Sequence, residues 1–341
     1  MILILMIVFN FIPKKVSTYM LTKKRMIQSI AIFLVVCSIV ITWQWFDSKE
    51  WLRDVGLLFH QPKWLVFMVI AYLASFLLKA AAWRIYAGQD VKFAVYFHAI
   101  SYSLLVNHVL PIKVGDGVRT GLLMKNGGKS WEDALHSVAV MRLLDMLVLA
   151  VIGGIGIVRM GLPSSWMWVT LLASGTAILA TAHYLPVIRK FPFVAKHSAY
   201  FHLKMLSGKG LAILGFITFS WVLEAGVIIA VSQIINLQLG SLSLVWANSM
   251  TIAGQIFHIT PGGIGTYEST MSGSLVLLGV DGKDAYRAAL LSHTFKFLFA
   301  YALGGYSLLR MPLHVREMKA WISRVTSQTK SQSYNKVRKE D

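Results

Sequence analysis

A chain of 341 residues that is 56% hydrophobic and only 14% charged, with a mean hydropathy of +0.62, cannot close as an ordinary water-soluble domain. Its formal charge of +18 would suit nucleic acid, but the lysines and arginines sit in short loops and tails beside apolar runs. Anionic lipid headgroups and the positive-inside rule account for that placement, so nucleic acid is excluded as a partner.

The first twelve residues, MILILMIVFNFI, are too short to span a bilayer and lack the basic start and cleavage site of a signal peptide. Residues 1–26 therefore read as a basic arm, with Met20 and Met26 as alternative starts. Lys14, Lys15, Lys23, Lys24 and Arg25 precede a first span at about 27–46 and place the N-terminus in the cytoplasm. Cys37, within that run, is the only cysteine; it excludes a disulfide framework and a thiolate metal site, and no metal or cofactor is expected. Trp43, Trp45, Trp51 and Trp64 mark the outer boundary, and the chain returns through a span at about 64–87. The basic loop 189–210 and the basic tail 313–341 both belong in the cytoplasm, with spans at about 211–235 and 284–309 between them.

This arrangement leaves 243–280 leaving and re-entering on the outer side, as a re-entrant hairpin broken at Pro261-Gly262-Gly263. Glycine accepts the positive φ of such a break and proline supplies no amide hydrogen. The same count makes 93–125 a hairpin from the cytoplasmic side. The two segments are similar in sequence: NHVLPIKVGDGVRT and FHITPGGIGTYEST share His108/His258, Pro111/Pro261, Gly115/Gly265 and Thr120/Thr270 at a constant offset of 150 residues. One register further, Arg142 matches His293 and Asp145 matches Lys296. The expected fold is an all-α polytopic membrane protein over 27–312: about six full transmembrane helices plus two opposed re-entrant hairpins, in inverted halves at about 64–159 and 211–310. Inverted repeats with broken helices are the pattern of alternating-access transport.

Ionisable groups inside spans are costly and therefore functional candidates. Arg142 and Asp145, three apart on one helix, can pair, with Arg142 presenting a planar fork to a lipid phosphate and Asp145 steadying it. Asp116 and Glu268 fall at the start of each returning half-helix, close to Arg119 and Lys113 in the first hairpin. The amides of Gly262, Gly263 and Gly265 are candidates to face phosphate. Glu224, with no basic residue one turn away, reads as a buried hydrogen-bonder or proton carrier, and His293 and Lys296 as further proton-coupling candidates. Lys79, His98 and His183 read as packing or snorkelling groups.

PGGIGTYE at 261–268, PIKVGDGVR at 111–119 and Arg142-Leu-Leu-Asp145 resemble the lysylphosphatidylglycerol synthase transmembrane-region family, the flippase-type part of the bacterial multiple peptide resistance factor. The resemblance spans about 27–312 and implies a bacterial or archaeal protein that handles aminoacylated phospholipids or works beside enzymes of lipid-linked glycans. Asp116 stands where glutamate is usual, and His293 where arginine is expected. About 30 residues follow Arg310, too few for the fused synthase domain, so lysine transfer is not expected. GGKS at 127–130 is not a P-loop, since Leu123 occupies the place of its first glycine.

A lipid translocase of the cytoplasmic membrane, with both termini inside, is thus the leading expectation. Its substrate-binding candidates are Pro111, Gly115, Asp116, Arg119, Arg142, Asp145, Pro261, Gly262, Gly263, Gly265 and Glu268. The rivals are an enzyme on polyprenyl-phosphate substrates using Asp116 and Glu268 as acid and base, and an accessory subunit that anchors a soluble synthase or glycosyltransferase. Homo-oligomerisation is open.

Overall fold

The computed structural model of the protein describes residues 47–109, 114–159, 192–255 and 261–312. The expected first span at 27–46, the N-terminal arm, the C-terminal tail, Pro111, Lys113, His183 and His258 lie outside the described residues. Within them every regular element is helical.

Local sequence sets the helix ends. Helix α1 (Ser48–His60) starts where the Asp47 carboxylate accepts from the amides of Lys49 and Glu50 at 2.8 and 3.3 Å. Helix α2 (Pro62–Ala87) carries proline in its first turn and stops at Gly88, whose φ of 137° lies outside the range of other residues. Then come α3 (Phe93–Val109) and α4 (Gly115–Gly127), the latter closed by left-handed Gly128. Beside that turn Lys129 hydrogen-bonds Asp90 at 2.7 Å and holds its carboxyl below the usual carboxylate range. Helix α5 (Trp131–Arg159) follows, and after it α6 (Pro192–Met205), α7 (Gly208–Glu224), α8 (Gly226–Ile234) and α9 (Ser241–Gly254). A 3-10 turn at Pro261–Gly263 leads into α10 (Thr266–Leu277) and α11 (Gly282–Arg310).

Among the described residues α2, α5 and the α7–α8 run (Gly208–Ile234) are long and apolar enough to cross a membrane. Their 26, 29 and 27 residues correspond to about 40 Å of helix, against roughly 30 Å of hydrocarbon. Helix α11 matches α5 in length, but Arg287, His293 and Lys296 interrupt its apolar run. The protein is a helical membrane protein.

Span, hairpin and long helix recur as α2, α3–α4, α5 and as α7–α8, α9–α10, α11, and α2 packs along α7. The first arm of each hairpin packs on the long helix of the other half, α3 on α11 and α9 on α5. Both pairs run antiparallel. His98 bonds Ser307 while His108, at the far end of α3, meets the Phe297 ring. In the other pair Trp246 donates to the carbonyl of Gly153. Glycine makes both approaches: a Cβ on Gly304 would lie 2.9 Å from the Ser101 carbonyl, and one on Gly156 would collide with the Trp246 indole.

The hairpins open from opposite ends of the molecule. At one end, where α4 finishes, Lys125 reaches the carbonyl of Pro312 and Tyr200 of α6 bonds the carbonyl of Tyr86. At the other end, where α10 finishes, Lys283 pairs with Glu50, and Arg287 makes a two-pronged contact of 2.8 Å on each side with buried Asp54 of α1. The tips converge between these ends, since α3 packs on the Pro261–Gly263 turn.

Candidate functional site

Three groups of polar side chains lie in the apolar interior. The first surrounds the break of the first hairpin. Gly115 opens α4 against α3 so closely that a Cβ would strike the Ser103 hydroxyl and the Asn107 amide, and its own amide donates to Asn107 Oδ1 at 2.9 Å. Asp116, one residue on, accepts from Arg142 Nε of α5 at 2.9 Å, with Arg119 Nη1 at 3.9 Å from the same oxygen. Arg119 Nε donates to Ser103 at 3.2 Å. The two Nη groups of Arg142 hydrogen-bond to nothing among the described residues, and its side chain keeps 32% exposure.

The second group closes the break of the second hairpin. Gly262, Gly263 and Gly265 have φ of 63°, 80° and 86°, a left-handed run that glycine allows cheaply. Glu268, in the first turn of α10, accepts from the amide of Gly265 at 2.7 Å and from His293 Nδ1 of α11 at 2.7 Å. The other His293 nitrogen lies 3.1 Å from the carbonyl of Gly262. The His293 ring thus lies between the Glu268 carboxyl and the Gly262 carbonyl. Tyr267 stacks on the His293 ring at 4.2 Å, and Phe297 covers Gly262.

The third group joins the halves. Glu224 ends α7 at a one-residue interruption in mid-span, across which Ala225 N still donates to the carbonyl of Trp221. Its two oxygens accept from Lys79 of α2 at 2.7 Å and from Lys296 of α11 at 3.2 Å. Lys296 also donates to Asn248 Oδ1 at 3.1 Å, and Lys79 lies 3.5 Å from the centre of the Trp221 ring. The Trp221 Nε1 in turn donates to Asp145 Oδ1 at 3.1 Å.

The geometry corrects several readings. Arg142 does not pair with Asp145 along its own helix: its Nε points to the neighbouring α4, and Asp116 steadies the guanidinium instead. Asp145 turns toward Trp221. Glu224 is not without a basic partner, because two other helices bring lysines to it. Lys79 is no snorkelling group, since its ammonium is held in the interior on Glu224 and Trp221. The amide of Gly265 is already engaged by Glu268. His98 does pack as expected, bonding Ser307. Trp221, Asn248, Asn107 and Ser103 went unread in the sequence; only Lys79, a lone charge in an apolar span, carried a signal by the cost of burying it.

The two breaks follow one scheme. In each half an acid on the returning arm, Asp116 or Glu268, is hydrogen-bonded to a basic side chain on the following long helix, Arg142 or His293. Comparison with curated proteins and with solved structures gives no match. The sequence profile of the lysylphosphatidylglycerol synthase TM region, a membrane domain associated with lipid handling, matches residues 26–304. That stretch takes in both hairpins and all three polar groups, and the chain belongs to this family.

Proposed function

We propose that the protein is a lipid translocase of the cytoplasmic membrane, moving a phosphate-bearing lipid headgroup along the polar breaks of the two opposed hairpins while the acyl chains stay in the bilayer. The observation that carries this reading is the Arg142 fork: held at Nε by Asp116, it leaves both Nη groups open beside Arg119, in the geometry that suits a phosphate. The opposed hairpins give such a site an approach from each side. In this reading the chain crosses the membrane six times beside its hairpins. The end bearing Lys125, Tyr200 and Pro312 faces the cytoplasm, because the basic loop before α7 and the basic tail lie there.

The test is transbilayer movement of headgroup-labelled phospholipids and lipid-linked sugars in proteoliposomes. Native protein should move at least one of them. Arg142→Ala removes charge-assisted bonds of about 1.5–3 kcal/mol and should slow movement roughly ten- to a hundred-fold. Glu268→Gln should slow it too, through His293 and the turn. Full activity in both variants would overturn the site; no movement of any lipid by the native protein would overturn the translocase.

A further inference from the structure

Asp145 is a buried carboxyl that the headgroup site does not use. It is 6% exposed, and among the described residues no cation approaches it to ion-pair distance. Oδ1 has one hydrogen bond, from Trp221, and Oδ2 has none among the described residues. Facing it are Lys79 of α2, Arg119 of α4, Trp221 of α7 and, one turn back on its own helix, Arg142; α9 brings no charged residue. An unpaired carboxylate in such surroundings is costly, and a proton on Oδ2 removes that cost.

The placement of Lys79 gives the proton a consequence. Lys79 and Asp145 belong to one half of the repeat, Glu224 and Lys296 to the other, on corresponding helices with the charges exchanged. Lys79 now crosses to Glu224, and the Trp221 indole stands between it and Asp145, touching both. Two arrangements are therefore available to the same four groups. In one, Asp145 is protonated and Lys79 ties the halves together through Glu224. In the other, Asp145 has lost its proton and takes Lys79, while Glu224 keeps Lys296, so that each half is internally paired and the tie is broken.

We propose that Asp145 is a proton-binding site, and that its proton decides whether Lys79 bridges the two halves or pairs within its own. The O–H bond forms at Oδ2 with a proton from water on the side to which the site is open. It breaks again, returning the proton to water, as the Trp221 indole turns aside and Lys79 arrives. The coupling of this step to lipid movement rests on the translocase reading; the proton site itself does not.

The experiment is an infrared pH-difference spectrum of the full chain in lipid, with lipid movement measured under an imposed pH gradient. A carboxylic-acid carbonyl band should appear, should shift when the protein is made with isotope-labelled aspartate, and should vanish in Asp145→Asn. Lys79→Met should keep the band yet lose the several-fold acceleration that the gradient gives the native protein. Should Asp145→Asn not fold, Asp145→Glu decides: in aspartate-labelled protein its band should no longer respond to the label, and a band that still shifts overturns the proposal. A band that ignores the label, or no band, overturns the proposal whether or not lipid moves. A labelled band lost in Asp145→Asn, with no lipid moved, supports the proton site and overturns the translocase. Lipid movement that ignores the gradient overturns the coupling alone.

Discussion

At the scale of single residues, the interior is governed by which partner each charge finds. Glu268 is 7% exposed and His293 2%, so neither tolerates loss of the other. His293→Leu would leave Glu268 Oε1 and the Gly262 carbonyl without the ring beside them and should cost roughly 1–3 kcal/mol, the range for a buried polar group left unsatisfied. His293→Arg keeps a donor beside Glu268 and should retain more stability. Unfolding of the purified protein in detergent mixtures would rank the two. That these residues matter was legible in the sequence, because ionisable groups in apolar spans announce themselves. Their partners were not: Glu224 and Lys296 are 72 positions apart and Glu224 and Lys79 are 145 apart, and no periodicity along one helix reports on such pairs. The sequence pairing of Arg142 with Asp145 followed helix spacing, whereas Asp116 wins because the first hairpin folds back against α5.

Helices and turns were the more legible level. The break at 261–265 could be foreseen because glycine accepts the left-handed φ found at 262, 263 and 265, and proline offers a helix no amide hydrogen. Gly262→Ala should therefore destabilise by about 1–2 kcal/mol from backbone strain. It should lose more because the new methyl meets the Phe297 ring. A second change, Phe297→Ala, should recover the steric part and leave the backbone part, which a double-mutant cycle of thermal unfolding would separate. Span α7–α8 taught less in advance. As an apolar run it reads as one uninterrupted helix, but its regular helix is interrupted at Ala225, beside the only acid it contains. Gly226 sits there with room for no more than a hydrogen against Ala71 of α2.

For the whole molecule, the two hairpins are packed alike although they share only four identities. Pairwise packing repeats where residues do not: α3 lies on α11 as α9 lies on α5, with a glycine at each crossing. Small residues let helices approach where lipid supplies no hydrophobic drive. Gly156→Leu should displace Trp246, break its bond to the Gly153 carbonyl and cost roughly 1–3 kcal/mol by overpacking. Its signature would be weakened cohesion between α5 and α9, read as faster amide exchange in both helices while α2 and α7 keep their protection.

The arms of the hairpins carry one more implication. Helices α4 and α10 have 13 and 12 residues, which makes each about 18–20 Å long, well short of a hydrocarbon layer of roughly 30 Å. In the proposed translocase each arm would therefore bring its polar root below the headgroup level or draw the bilayer surface down to meet it. A charge entering either dimple would have less oil ahead of it, since the self-energy of a phosphate in hydrocarbon falls with every ångström removed. On that proposal the dimensions of the two short arms, as much as any side chain, would set how high the barrier stands.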